Sequence, residues 1–450
     1  MGRFTQGLGL ALALSAGANS VYGADDLISI LDLAMRNDPT LRQAEAQYKS
    51  RNTQLDQGIA LLLPSVTVAG QTQRQTSNPA GNFSYKPGAN SHGYRLNINQ
   101  ALFNMNAWYS YKSVEQADKA GAIQYAAQEQ NLIIRVATAY FNVLRGIDDL
   151  ERRQQEEAAA QRQFEQTQQR EEVGLIAITE VYESQAAYDL ARNNTILAED
   201  ALATAYEALE AITGQPHPNI KVLQEDFPIT SAEGDAQSWT EQALDSNLAL
   251  VAARYNLEAQ RLNLKARKSE HLPTISFSGS FNHNVTSGVS FDGVNRTGAA
   301  LDGTSLAVNI NIPLYSGGGV TARRRAAEYD VIAQQEALNL TRRQTTQDVR
   351  NAYRRVNTDA LVIAQRQQAI TSAQSALEAI EVGYEVGTRN IVDVLQARQQ
   401  LFLALRNYSD ARYNYVIDTL TLKQATGILT PQDIVDLNEW LEEEPVTAAP

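Results

Sequence analysis

Histidine, carboxylate and glycine patterns often carry the chemistry of a protein, and in this sequence they form no known catalytic motif. The four histidines lie far apart: His92, His217, His271 and His283. No His-Glu-x-x-His or calcium-loop pattern occurs, and the glycine run after Ser316 lacks the Gly-Lys of a phosphate-binding loop. We therefore predict that the protein is not an enzyme and that it uses no cofactor or metal.

The most informative charged and aromatic residues lie in two short turn sequences, 173–180 and 384–393. Each turn follows a long helical pattern and contains a glycine that we predict to end that helix. Each also carries an acidic residue at the start of the next helix, where the helix dipole favours negative charge. Ordinary helix capping explains both pairs: Gly174 with Glu180, and Gly387 with Asp393.

The two turns occupy matching places in a duplicated chain. Short motifs recur in the same order at offsets of 209 to 213 residues: Leu63-Pro64 as Leu272-Pro273, Val173-Gly174 as Val386-Gly387, and Thr213-Gly214 as Thr426-Gly427. Collinear matches at nearly one offset indicate a repeat. We predict a first repeat over 24–214 and a second over 238–427, with a linker at 215–237 and a C-terminal segment at 428–450.

Each repeat is predicted to contain two strands and then a pair of long helices. Alternating apolar and polar residues indicate half-exposed strands, about 64–72, 93–102, 273–282 and 304–315. The polar stretches 71–93 and 282–303 are predicted loops. Apolar residues at helical spacing, with Val349, Val356 and Ile363 every seventh residue, indicate coiled-coil helices. Their predicted ranges are 104–172, 178–212, 318–385 and 391–425.

The N-terminus and the composition indicate an exported protein. Arg3, an apolar run over 8–16 and the small residues Gly23 and Ala24 follow the order of a secretory signal peptide, which we place at 1–23. The chain has no cysteine, so this exported protein cannot be stabilised by disulfide bonds. A formal charge of -13 without a basic run argues against nucleic acid as a partner. The acidic and then small residues from Glu442 to Pro450 predict a disordered tail.

Four strands per chain leave two interpretations open. They could form a small soluble sheet on a periplasmic coiled-coil adaptor or scaffold protein. Alternatively, the apolar face could contact outer-membrane lipid while the polar face lines water. An open four-stranded sheet would leave unpaired backbone groups in lipid, and four strands are too few to close a barrel. The membrane interpretation therefore requires several chains to share one barrel.

Several motifs resemble the TolC family of outer-membrane efflux and secretion channel proteins, from about Ile28 to Asn438. They are the Leu-Pro strand entries, the Val-Gly-x-x-x-Ile turn of each repeat, and the segments 137–142, 312–318 and 411–415. The resemblance implies an α+β membrane protein: a homotrimer whose 12-stranded β-barrel, with four strands per chain, continues into a long α-helical coiled-coil barrel. It also implies an equatorial band around the middle of the helical barrel.

The same resemblance gives the two turns a role at the periplasmic entrance of a channel. It implies a gate latch in which Tyr384 binds Glu180 and Arg389 binds Thr179. Glu180 departs from the aspartate that the family usually carries. Asp393 would form a ring of negative charge at the pore constriction and favour cations. The family commonly has a second aspartate one helical step further on, but this sequence has Gln396 there.

The expected function is a passive exit duct for drug efflux and type I protein secretion. Its expected location is the bacterial outer membrane, with the helical part in the periplasm. By resemblance, the gate would open when two partners dock: a periplasmic adaptor protein, and an inner-membrane transporter of the RND or ABC class. A soluble adaptor is the alternative function.

Overall fold

A computed structural model describes residues 24–75, 89–287, 289–291, 294–296 and 299–443. The predicted signal peptide, the stretch 76–88 and the tail from 444 onwards lie outside these residues. The described residues divide into two compact units. The first takes its residues from Met1–Arg36, Val136–Ile229 and Pro431–Pro450, and the second from Asn37–Arg135 and Thr230–Thr430.

Two long helical hairpins dominate the secondary structure. The first joins α3 (Met105–Glu172) to α4 (Ile178–Thr213), and the second joins α7 (Gly319–Glu385) to α8 (Ile391–Thr426). At about 1.5 Å per residue, the 68 residues of α3 extend roughly 100 Å. The shorter helices are α1 (Leu27–Asn37), α2 (Pro39–Ala60), α5 (Ala236–Ser246), α6 (Leu248–Lys268) and α9 (Pro431–Asn438).

The heptad pattern of α7 marks a buried seam along the middle of that helix. Val349, Val356 and Ile363 are all buried, with exposed fractions of 0%, 2% and 4%. The next two residues of the pattern, Ile370 and Leu377, are half-buried. The seam is therefore tightest in the middle of α7 and loosens toward the 384–393 turn.

One four-stranded antiparallel sheet belongs to the second unit. It contains β1 (Ser65–Gln75), β2 (Ala89–Phe103), β4 (Thr274–Ser287) and β7 (Ala299–Asn311), in the order β1-β2-β4-β7. Strand β3 (Val222–Leu223) belongs to the first unit, and β5 (Val289–Phe291) and β6 (Val294–Arg296) form a separate two-stranded antiparallel ladder.

The predicted ends of these strands were partly wrong. Strands continue into both polar stretches that were predicted as loops, and Gln75, for example, pairs with Ala89. A backbone ladder needs no apolar side chains, so the polar composition concealed it. Strand β7 ends at Asn311, whereas the sequence predicted that it would continue to about 315. Pro313 lacks the N–H that would continue the ladder.

The first unit joins the first and last described segments of the chain to the segment after α4. Strand β3 (Val222–Leu223) pairs antiparallel with β8 (Leu441–Glu442), and Asp25 forms a parallel bridge with Ile220. The predicted disorder is therefore wrong for Glu442, because its backbone is paired with Val222. The partner lies far away in the sequence, so no local pattern announced it.

In the part of the chain that the structure describes, no α-helix is apolar over a stretch long enough to cross a lipid bilayer.

Candidate functional site

The first turn closes the α3–α4 hairpin with backbone hydrogen bonds. Gly174 has a φ of 74°, and its N–H donates to the carbonyl of Glu171 at 2.7 Å, while the N–H of Leu175 donates to Arg170 at 2.9 Å. This arrangement ends α3 as predicted. Ala177 precedes α4 and provides no side-chain cap. The start of α4 therefore lacks the side-chain acceptor that many helices have at this position.

The second turn repeats that backbone and adds side-chain bonds. Gly387 has a φ of 77°, and the N–H of Thr388 donates to the carbonyl of Gly383 at 2.8 Å. Asn390 and Asp393 form a complete capping box: the Asp393 N–H donates to Asn390 Oδ1 at 2.9 Å, and the Asn390 N–H donates to Asp393 Oδ2 at 3.3 Å. Two N–H groups at the start of α8 are thus satisfied by side chains.

Asp393 also has a charged neighbour in the same turn. Arg389 Nη1 lies 3.9 Å from Asp393 Oδ2, and the exposed fractions of the two side chains are 58% and 32%. This ion pair is loose and largely solvated, so it contributes little energy by itself. Gln396 is exposed one helical turn beyond Asp393. The predicted selectivity residues therefore follow one another along one side of α8.

The structure brings together some of the predicted gate residues. Tyr384, Arg389 and Asp393 lie within one turn of the second hairpin, and Thr179 and Glu180 lie in the first turn of α4. Thr179 is exposed and Glu180 is half-buried. The predicted pairs, Tyr384 with Glu180 and Arg389 with Thr179, would join residues of different compact units. They stay predictions.

The sequence analysis missed two residues that shape the second turn: Asn390 within it and Gly383 just before it. Asn390 had a readable signal, because an N-cap residue followed three positions later by an acidic residue is the pattern of a capping box. Gly383 had none. Its carbonyl accepts from the N–H groups of Thr388 and Arg389, at 2.8 Å and 3.1 Å, and from Thr388 Oγ1 at 3.0 Å.

The side-chain contacts between the two helices of each hairpin differ close to these turns. In the first, the hydroxyls of Thr167 and Ser184 lie 2.6 Å apart, and both residues are fully buried. Nearby, the rings of Phe164 and Tyr188 stack with centroids 6.3 Å apart. In the second, Arg398 Nη2 forms an ion pair with Glu381 Oε1 at 2.7 Å.

Further along the second hairpin, two carboxylates approach each other. Burial of Asp359 and the nearby negative charge of Asp418 raise the pKa of the Asp359 carboxyl to about 6, although Arg355 and Arg366 oppose the shift. Arg355 Nε lies 2.9 Å from Asp418 Oδ1. The arginine thus neutralises Asp418 more directly than Asp359.

One group of residues in the first unit has the order of a catalytic triad. His217 Nδ1 lies 2.8 Å from Asp25 Oδ2, and His217 Nε2 lies 2.9 Å from Thr213 Oγ1. A nucleophile must be reachable, but Thr213 is fully buried and its hydroxyl already lies within bonding distance of the carbonyls of Leu209 and Gln215. These hydrogen bonds therefore have a structural role: they connect Asp25 near the N-terminus to the end of α4 and the segment after it.

Comparison with known proteins identifies the family. The model of the family described as "Outer membrane efflux protein" matches residues 30–215 and 239–428. The outer membrane protein TolC of Vibrio cholerae is 36% identical over 434 residues, which are 96% of this chain and 97% of that protein. The alkaline protease secretion protein AprF of Pseudomonas aeruginosa is 27% identical over 89% of this chain and 84% of its own.

Solved structures agree on the fold. A crystal structure of CusC superposes with a TM-score of 0.78 over 93% of this chain and 95% of that one, at 19% identity. The family model and the identity to TolC confirm the resemblance to the TolC family, and that family consists of channels rather than enzymes. The chain belongs to the outer membrane efflux protein family, and it is an outer-membrane efflux channel protein.

Proposed function

We propose that three copies of this chain form one exit duct for drug efflux and type I protein secretion. Their strands close a 12-stranded β-barrel in the outer membrane, and their hairpins continue it as an α-helical tunnel through the periplasm. The two repeats, 24–214 and 238–427, supply one helical hairpin each. The observation that carries this proposal is a sheet with two different faces and two open edges.

The two faces of the sheet suit two different solvents. On one face, large apolar side chains are exposed, and they include Val68 at 72%, Leu306 at 72% and Ile310 at 65%. On the other face, polar side chains bond across strands: Asn309 Nδ2 donates to Ser278 Oγ at 2.9 Å. Alternation of this kind fits lipid on one side and an aqueous lumen on the other.

The two edges of the sheet support closure by other chains. Among the described strands, β1 and β7 each pair on one side only. Unpaired backbone groups in lipid cost several kcal/mol each, so both edges need partners. Strands from two further chains would pair with both edges and complete the barrel.

The 173–180 and 384–393 turns form the periplasmic gate in this proposal. Tyr384 binds Glu180, and Arg389 binds Thr179. Near a surface each such contact contributes about 1 kcal/mol. Threefold repetition therefore gives a latch that holds and still yields to a docked partner. Asp393 supplies the acidic ring that selects cations, and Gln396 supplies a neutral ring beside it.

The partners follow from the same arrangement. A periplasmic adaptor and an inner-membrane transporter, of the RND or ABC class, dock at the hairpin turns and supply the energy. Exposed apolar residues at both turns support a protein contact there: Val173 at 69%, Leu175 at 70% and Val386 at 69%.

Disulfide crosslinking between the sheet edges tests the trimer. The chain has no cysteine, so an introduced pair is unique. Cysteine at Val68 of β1 is combined in turn with cysteine at Leu306, Val308 or Ile310 of β7, and membranes are oxidised. We expect a reducible band of trimer mass for at least one pair and none for the single-cysteine controls. Monomer alone in all three, with channel activity intact, contradicts closure through these edges.

A further inference from the structure

Gly383 lies near the end of α7, at a position where the backbone does not call for glycine. It is part of the helix, which runs from Gly319 to Glu385. Glycine in a helix costs about 0.5–1 kcal/mol relative to alanine. The positive φ that favours glycine in this turn belongs to Gly387, four residues later. Another constraint must account for Gly383.

The first hairpin provides an internal control. Arg170 occupies the matching place, 213 residues earlier. The N–H of Leu175 donates to Arg170 O at 2.9 Å, and the N–H of Thr388 donates to Gly383 O at 2.8 Å. A positive-φ glycine follows in both turns, Gly174 and Gly387. The same backbone turn thus accepts a long side chain in the first hairpin.

The side chain of Arg389 distinguishes the second turn from the first. A Cβ atom at Gly383 would lie 2.9 Å from Arg389 Cγ and 3.3 Å from Thr388 Oγ1. Cγ is at the root of the arginine side chain, so the clash would move the whole side chain and not only its end. The residue that matches Arg389 in the first hairpin is Ile176.

We propose that Gly383 is a positioning residue, whose missing side chain provides the seat for the stem of Arg389. The seat fixes the direction in which the guanidinium extends from the turn between α7 and α8, and its Nη1 atom then lies 3.9 Å from Asp393 Oδ2. The consequence for gating rests on the proposed function, because it requires Arg389 to act in the latch. The seat itself is a property of one hairpin.

A double-mutant cycle on the full-length channel tests the proposal. The variants are Gly383→Ala, Arg389→Ala and both together, with Arg170→Ala as the matched control in the first hairpin. Thermal unfolding in detergent gives the first readout. With Arg389 present, Gly383→Ala lowers the Tm. In the Arg389→Ala background, the same change raises the Tm by about 1 °C, because alanine is the better helix former.

Closed-state conductance in planar bilayers gives the second readout. Gly383→Ala raises the closed-state conductance to the level of Arg389→Ala. In the Arg389→Ala background, Gly383→Ala causes no further increase. Arg170→Ala leaves the conductance unchanged. A Tm change of the same sign in both backgrounds overturns the positioning role. If Arg389→Ala leaves conductance unchanged while the Tm sign still reverses, the gate proposal fails and the seat stands.

Discussion

The two hairpin turns share one backbone and differ in the side chains that hold it. In both, a positive-φ glycine follows the first helix. The N–H of the next residue donates to the carbonyl five residues before it, near the end of that helix. The 173–180 turn begins its second helix without a side-chain cap and exposes Val173 and Leu175. The 384–393 turn has a capping box and an arginine–aspartate pair. The backbone hydrogen bonds therefore determine the conformation of each turn, and the side chains determine which groups it exposes.

The hairpin walls continue this contrast. In the first hairpin, a Cβ at Gly146 would lie 2.9 Å from Leu202 Cδ1, so the helices pack closely through a small residue. The matching position in the second hairpin is Asp359, a partly buried carboxyl. The first hairpin is thus built for close packing where the second contains charge. We expect this position of the second hairpin to respond more strongly to pH than the matching position of the first.

Ion selectivity gives the largest expected difference between the turns. Asp393→Asn keeps an acceptor for the Asn390 N–H but removes the negative charge, so the capping box survives. We expect the cation preference in planar bilayers to fall severalfold, because three charges around a narrow axis are lost. Glu183→Gln, at an exposed glutamate of α4 outside the latch, is the control in the first hairpin, and Gln396→Asp should raise the preference. Unchanged selectivity in Asp393→Asn would locate the filter elsewhere.

The latch gives the next largest effect. Arg389→Ser and Tyr384→Phe each remove one contact of about 1 kcal/mol from every copy, so closed-state conductance should rise. Arg389→Lys keeps the charge without the guanidinium and should have an intermediate effect. Tyr182→Phe, at an exposed tyrosine of the first hairpin, serves as the control for Tyr384→Phe. Closed-state conductance identical to that of the unchanged channel would remove both residues from the latch.

Sequence alone predicted those features that repeat along the chain. Periodic apolar residues revealed the long helices, and alternation revealed the four strands. The sequence did not predict the extra strand length, because polar residues such as Arg74 and Asn90 pair through their backbones. Glu442 escaped because its partner strand is distant in the sequence. The role of Gly383 was not predicted, because it depends on a side-chain contact with Arg389 that sequence spacing does not reveal.

Exchanging helix caps tests how much the side-chain cap of the second turn contributes to stability. Asn390→Ala removes the N-cap acceptor of α8 and should lower the free energy of unfolding by about 1 kcal/mol. Ala177→Asn gives α4 the cap that it lacks and should raise this free energy by a similar or smaller amount. Chemical denaturation of the detergent-solubilised channel measures both. Equal and negligible effects would mean that the backbone alone determines both turns.

The smallest expected effect is a pH dependence that arises at Asp359 in the second hairpin. The pKa of Asp359 is raised to about 6 by burial and by Asp418, so the folded protein favours the protonated carboxyl. Its contribution to stability is present below the unfolded pKa and is lost as the pH rises through about 6. Asp359→Asn should therefore unfold at a higher temperature than the unchanged protein at pH 7.5 and at nearly the same temperature at pH 4.5.

The difference should stay below about 1 kcal/mol, since the carboxyl is only partly buried and solvent screens its neighbours. Asp330→Asn, at an exposed position of the same helix, controls for removing one charge from α7. Gly146 at the matching place in the first hairpin has no titratable group, so that hairpin contributes no such dependence from this position. A Tm difference between Asp359→Asn and the unchanged protein that is the same at both pH values would contradict a raised pKa. The contrast between Gly146 and Asp359 would then lie in packing alone.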